Sequence, residues 1–215
     1  MKKLFTAIRK RDYELVKDII NKKPELVNCT AKQPPKKDDG QSLLQVALKT
    51  GNFHIADFLI DNGANLNFME VEGCNEWKMP VLHDAIRAAI MNSRYLEDNF
   101  DGTWKIAHSK QESKYAYKIL EKIIDLGAEV KCYDSYDNST IGRAILDARQ
   151  ILPTVNHSDS SWVDFRPLND ELIEDLKAIF DLLIKNGGDV DEIDPKLEMT
   201  YREYCQMEPV YQFIK

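Results

Sequence analysis

The chain has 215 residues, 43% of them hydrophobic and 30% charged, a balance that supports a folded core and excludes intrinsic disorder. Its net charge of −7 is uneven: residues 1–39 carry eleven Lys or Arg against six Asp or Glu, +5, so the remainder carries −12. Residues 158–198 hold twelve acids against four bases, which argues against wholesale nucleic-acid binding. No apolar run reaches membrane-spanning length and no signal-peptide core is present, so a cytoplasmic location is expected. Cys29, Cys74, Cys132 and Cys205 are scattered without CxxC pairing and read as reduced thiols.

In chain order, a short apolar segment around Ala7 precedes a predicted helix carrying Leu15, Val16, Ile19 and Ile20, which Lys23-Pro24 stops. The stretch Thr30–Asp39 is polar and proline-stiffened and reads as an exposed finger. A second pair follows, with Ala47 in its first helix and Ile55, Ala56, Leu59 and Ile60 in its second, ending at Gly63. The next finger contains Phe68, Met69, Val71 and Trp77, more apolar than a solvated tip needs. The third pair has Ala85, then Ile119, Leu120, Ile123 and Ile124 before Gly127; the fourth has Ala144, then Ile179, Phe180, Leu183 and Ile184 before Gly187. All sixteen positions counted back from these stops are apolar, at the i, i+1, i+4, i+5 spacing of one buried helix face. Glycine after a helix can adopt the left-handed conformation that closes the last turn.

The alanines act as a ruler. Ala47 lies 16 residues before Gly63, whereas the gaps in the third and fourth pairs are 42 (127 − 85) and 43 (187 − 144). Removing the excesses of 26 and 27 from the spacings Ala85–Ala144 (59) and Ala144–Tyr204 (60) leaves 33 in both cases. A helix-pair period of 33 residues marks a stacked repeat architecture.

The run Gly40-Gln41-Ser42-Leu43-Leu44-Gln45-Val46-Ala47, followed by Gly51 to Asn67, resembles an ankyrin repeat. Pro80-Val81-Leu82-His83-Asp84-Ala85 is similar to that family's T-P-L-H-x-A motif, and Ser139-Thr140-Ile141-Gly142-Arg143-Ala144 is a weaker copy. The resemblance implies an all-α ankyrin solenoid forming a single domain over 1–215. The expected units are an N-cap at 1–28, units at 38–67, 76–131 and 135–191, and a degenerate C-cap at 199–215, bacterial in type. It also implies a structural hydrogen-bonding role for His83.

Two inserts depart from the family pattern, at 92–113 and 150–170. Their near-equal length and the similar strings Asp101-Gly102-Thr103-Trp104 and Asp159-Ser160-Ser161-Trp162 suggest duplication together with the repeat. They are expected to pack side by side, with both tryptophans buried between them or, alternatively, exposed as partner anchors. The first helices are expected to run on through Ile90-Met91 and through Ile145, Leu146 and Ile151.

No phosphate-cradling loop, HExxH, GxSxG or clustered metal-ligand set is present, so no enzyme activity, cofactor or metal is expected. His157-Ser158-Asp159 is too local for a triad and reads as helix capping. The enzyme alternative would need a site between the inserts where His108 and His157 converge.

In ankyrin-like proteins, partners are held by the finger tips and the exposed face of the first helices. On that resemblance the expected contact residues are Arg9, Lys10, Lys49, Arg87 and Asp147 on helices. Asp38, Asp39, Gln41, Glu76, Trp77, Met79, Tyr136 and Asn138 are their counterparts on fingers. Arg9, Lys49 and Arg87 form a basic stripe that Asp38, Asp39 and Glu76 could neutralise. The expected function is that of a monomeric binding protein taking an acidic segment of a protein partner, or alternatively a dedicated inhibitor of one toxin or enzyme.

Overall fold

The computed structural model of the protein describes residues 1–155, 162–164 and 166–215, with the backbone alone described at 155 and 162–164. Four helix pairs follow one another: α1 (Lys2–Arg9) with α2 (Tyr13–Lys22), α3 (Leu43–Lys49) with α4 (Phe53–Asp61), α5 (Val81–Met91) with α6 (Lys110–Asp125), and α7 (Thr140–Ala148) with α8 (Asp170–Lys185). A short α9 (Tyr201–Tyr204) and a 3-10 turn at Pro209–Phe213 close the described chain. The starts are set by side chains: Asp12 accepts from the Leu15 N–H, while Ser42 with Gln45, Ser109 with Glu112 and Thr200 with Glu203 form reciprocal capping boxes.

The first helices pack in sequence, α1 on α3, α3 on α5 and α5 on α7, and the second helices α2, α4, α6 and α8 form a parallel outer row. Between the rows lies one continuous core, in which Ile8, Val16, Val46, Ala47, Leu59, Ile86, Leu120, Ala144 and Phe180 are fully buried. Thirteen of the sixteen positions read from the helix face are buried. The others fall where a neighbour is missing: Leu15 and Ile19 are half-buried on α2 of the first pair, and Ile184 is exposed on α8 of the fourth.

The first pair is tied to the second, and the second to the third, by the same device. The Asn28 side chain donates to the Gly63 carbonyl (3.1 Å) and accepts from the Asn65 N–H (2.7 Å). Asn67 does the same one pair later, to Gly127 (3.3 Å) and from Glu129 (2.8 Å). The fingers between pairs close by short antiparallel bridges, Thr30 to Ser42, Met69 to Pro80 and Tyr133 to Ser139. The last closes by a short antiparallel pairing of Ile193–Asp194 with Met199–Thr200. The first two fingers cross at Gly40, where a Cβ would lie 2.0 Å from the Glu72 carbonyl oxygen, so no other residue fits there.

The all-α expectation is corrected by the inserts, which are β-hairpins in part. The first pairs β1 (Leu96–Asp98) with β2 (Trp104–Ile106), and the second pairs β3 (Thr154–Val155) with β4 (Trp162–Asp164). Not all the added residues go into loops. Helix α5 has 11 residues against 7 in α3, and α6 has 16 against 9 in α4, so (11 − 7) + (16 − 9) = 11 of the 26 extra residues lengthen helices. Helix α5 reaches Met91 as expected, but α7 stops at Ala148, short of Ile151.

The bases of the two inserts meet. Arg94, 7% exposed, donates to both oxygens of Asp175 and to Glu174 on α8, and its carbonyl accepts from Asn169 (2.9 Å). The Arg166 guanidinium lies over the Tyr95 ring. Burial of Trp104 between the inserts is not found: its side chain is 41% exposed. The side chain of Trp162, and His157, lie outside the described residues.

Candidate functional site

The first helices and the fingers line one face, and the cations expected on it are drawn into two clusters. In the first, Arg9 and Lys49 share Asp38, with Lys49 Nζ 3.6 Å from Asp38 Oδ1. Lys49 also donates to Gln41 Oε1 (3.0 Å) and to the Lys37 carbonyl (2.6 Å). In the second, Arg87 Nη1 and Arg143 Nη2 both meet Asp147 Oδ1, at 2.5 and 2.6 Å, and Arg143 Nε takes Oδ2 at 2.7 Å. Each cluster therefore sets two cations around one buried carboxylate.

Three expected contact residues are not exposed. Asp38 (1%), Gln41 (5%) and Asp147 (0%) are buried, because each is consumed by the internal network. Gln41 Nε2 donates to Glu70 Oε1 (2.9 Å), and Glu70 Oε2 accepts from the Met79 N–H (2.7 Å), while Gln45 Nε2 donates to the Met79 carbonyl (2.8 Å). Met79 thus serves the site through its backbone. Of the three acids expected to neutralise the stripe, Asp38 alone does so among the described residues. Asp39 instead accepts from Gln33 and from the Cys74 N–H, tying the first two fingers together, and Glu76 is exposed.

Between the two clusters sits Asp84 on α5, 2% exposed, with Oδ2 lacking a hydrogen-bond partner. Burial pushes its carboxyl up to about 8; Glu70 adds to the rise, while Gln45, Lys49 and Arg87 oppose it. At neutral pH it is mostly protonated. The two clusters with Glu70 then hold four cations (Arg9, Lys49, Arg87, Arg143) against three carboxylates (Asp38, Glu70, Asp147), and Asp134 at the rim is a fourth carboxylate. Burial lowers the Lys49 ammonium and raises Asp147, whose rise is opposed by Arg143 and Arg87.

An aromatic rim stands beside the second cluster. Trp77, 40% exposed, donates Nε1–H to Asp134 Oδ2 (2.8 Å), lies over the Arg143 guanidinium, and meets Tyr136 edge-on at 6.3 Å. Burial of Asp134 is outweighed by hydrogen bonds from Asn138, Trp77 and the Asn138 and Tyr136 N–H groups, which hold it below the usual carboxylate range. Asn138 is half-buried and acts on Asp134 rather than outward, whereas Tyr136 is 46% exposed, with Lys196 donating to its carbonyl and sitting over its ring. Lys10 is exposed and has no ion pair among the described residues.

Sequence reasoning missed Arg143, Asp84 and Glu70. For Arg143 the signal was present: Arg143 and Asp147 stand four apart on one helix, where oppositely charged side chains meet. His83 is buried with Nε2 3.5 Å from the Thr140 hydroxyl, and burial pushes its imidazole down to about 4, so it is neutral. His108 packs edge-on against Tyr95, and no group of His, Cys, Asp or Glu among the described residues is arranged to hold a metal ion.

Residues 39–68 match the family model of the ankyrin repeat. That stretch covers the end of the first finger, α3, α4 and the turn behind Gly63, so this helix pair is similar to an ankyrin repeat, which supports an ankyrin-repeat protein. No curated protein matches the chain. Ankyrin repeats are in general protein–protein interaction modules, and the family is typically non-catalytic. No helix among the described residues is long and apolar enough to cross a membrane.

Proposed function

We propose that the protein is a non-catalytic binding module of five ankyrin-type units forming a single solenoid domain. It takes an acidic segment of a protein partner into the face lined by first helices and fingers. The observation that carries this reading is the doubling of cations on single carboxylates. Arg9, Lys49 and Arg87 form the outer members of the clusters, and a partner carboxylate would complete the charge balance that Asp38 and Asp147 leave unfinished. A buried carboxylate needs a cation partner, and Asp147 already has Arg143, so stability does not demand Arg87 as a second one. Trp77 and Tyr136 supply aromatic anchors of the kind that dominate interface energetics. The charge steers and orients the partner, and the rings hold it.

The test is a titration of the protein's captured natural partner against the wild type and against Lys49→Glu combined with Arg87→Glu. Reversal is expected to weaken binding at least about tenfold, an effect that shrinks as salt is raised. Equal affinity of the two proteins at low salt would remove the acidic-segment reading.

A further inference from the structure

The insert between α5 and α6 leaves the helix pairs at the end opposite the fingers, because it joins the two helices of one pair whereas fingers join successive pairs. Its hairpin is amphipathic. In the register Leu96 to Ile106, Glu97 to Lys105 and Asp98 to Trp104, one face carries the Glu97–Lys105 ion pair. The other carries Leu96 and Ile106 and, nearer the tip, Trp104 opposite Asp98. Trp104 and Ile106 are 41% and 46% exposed, so this face is largely uncovered.

At the tip stands Phe100, 97% exposed, the most exposed large hydrophobic residue among those described. Its φ is +64°, a left-handed conformation that is an outlier for a bulky side chain. The tip is nevertheless well braced. Asp98 accepts from the Phe100 N–H (2.7 Å), Asp101 accepts from the Thr103 N–H and hydroxyl (2.9 and 2.6 Å), and Asn99 donates to the Thr103 hydroxyl (3.0 Å). The ring is thus held outward by a pre-ordered loop, which lowers the entropy lost when such a side chain is bound. The hairpin is anchored at its base by Arg94 and by the Ala107–Tyr95 backbone bond, so the fold does not use the tip for burial.

We infer that this hairpin is a second docking element, whose Phe100 side chain inserts into an apolar pocket, bordered by Lys or Arg, on a partner protein. The partner's charge follows from the tip. Asp98 and Asp101 flank Phe100 without an ion pair among the described residues, and the Glu97 charge is offset by Lys105. Hydrogen bonds from Thr103 hold Asp101 below the usual carboxylate range. Two carboxylates beside the ring also oppose insertion into a membrane, whose cytoplasmic surface is anionic. The element does not depend on the groove reading, because it shares no residue with it.

The test places the photo-reactive analogue p-benzoylphenylalanine at position 100 of the full chain in its native cells. The cross-linked protein is then purified and titrated against wild type, Phe100→Ser, Phe100→Trp and Asp98→Lys with Asp101→Lys. Cross-links are expected at one apolar pocket with basic side chains at its edge. Phe100→Ser and the charge reversal should each weaken binding about tenfold or more, with Phe100→Trp retaining most of it. Unchanged thermal midpoints would show that the exposed-site variants remain folded. The inference is overturned if no protein is cross-linked, if the cross-link goes only to a second copy of this chain, or if affinity ignores both variants. Binding of phosphatidylserine vesicles that Phe100→Ser abolishes, with no protein partner, overturns it as well.

Discussion

Asp84 concentrates the electrostatics of the groove in one side chain. Its carboxyl is buried, lacks a partner for Oδ2, and is pushed up to about 8. The native protein therefore keeps a proton that the unfolded chain has lost above about pH 4, so this residue lowers stability progressively between about pH 4 and about pH 8. Asp84→Asn removes the penalty and is expected to raise stability at pH 8 by about 1–3 kcal/mol, with little effect near pH 4. Urea denaturation at the two pH values measures this. His83 acts with the opposite sign, since its depressed imidazole costs stability as pH falls from about 6.5 toward about 4. Asp147 is the contrasting acid. Removing it by Asp147→Ala strands Arg143, 1% exposed, and is expected to cost about 3–5 kcal/mol in the same assay.

The second helices were the most legible elements, because the i, i+1, i+4, i+5 apolar face is dictated by burial against the first helices and survives every insertion. The hairpins were legible in part: Asp101-Gly102 between Leu96-x-Asp98 and Trp104-x-Ile106 carries the turn dipeptide and alternation of a hairpin. Periodicity could not show that eleven added residues would be absorbed as helix. The signal was instead Ser109 with Glu112, a capping box that starts α6 well before its apolar face begins to repeat the family spacing. Ser109→Ala is expected to destabilise the protein by about 1 kcal/mol and to increase exchange of the α6 first-turn amides. The burial of Asp38 and Asp147 was not legible. It arises from Arg9 and Lys49 on different helices, and from Arg87 meeting the Arg143–Asp147 pair of the next unit, contacts that only stacking creates.

At the scale of the whole molecule, each helix pair leans on its neighbours, and local stability follows the number of neighbours present. Helix α5 packs against α3, α6, α7 and α8, whereas α1 has α2 and α3. Native-state hydrogen exchange is accordingly expected to be slowest in α5 and faster in α1 and α9. The first hairpin extends the stack at the end away from the fingers and shares no residue with the basic, aromatic-rimmed face, so that addition and the groove can evolve separate contacts. This face is proposed to hold the partner. The most direct measurement is the hydrogen-exchange difference between the free protein and its complex with the captured partner. Protection is expected in the fingers at 68–80 and 132–139 and at the exposed edge of α3 and α5. Protection confined to α2, α4 and α6, with the fingers unchanged, would contradict it.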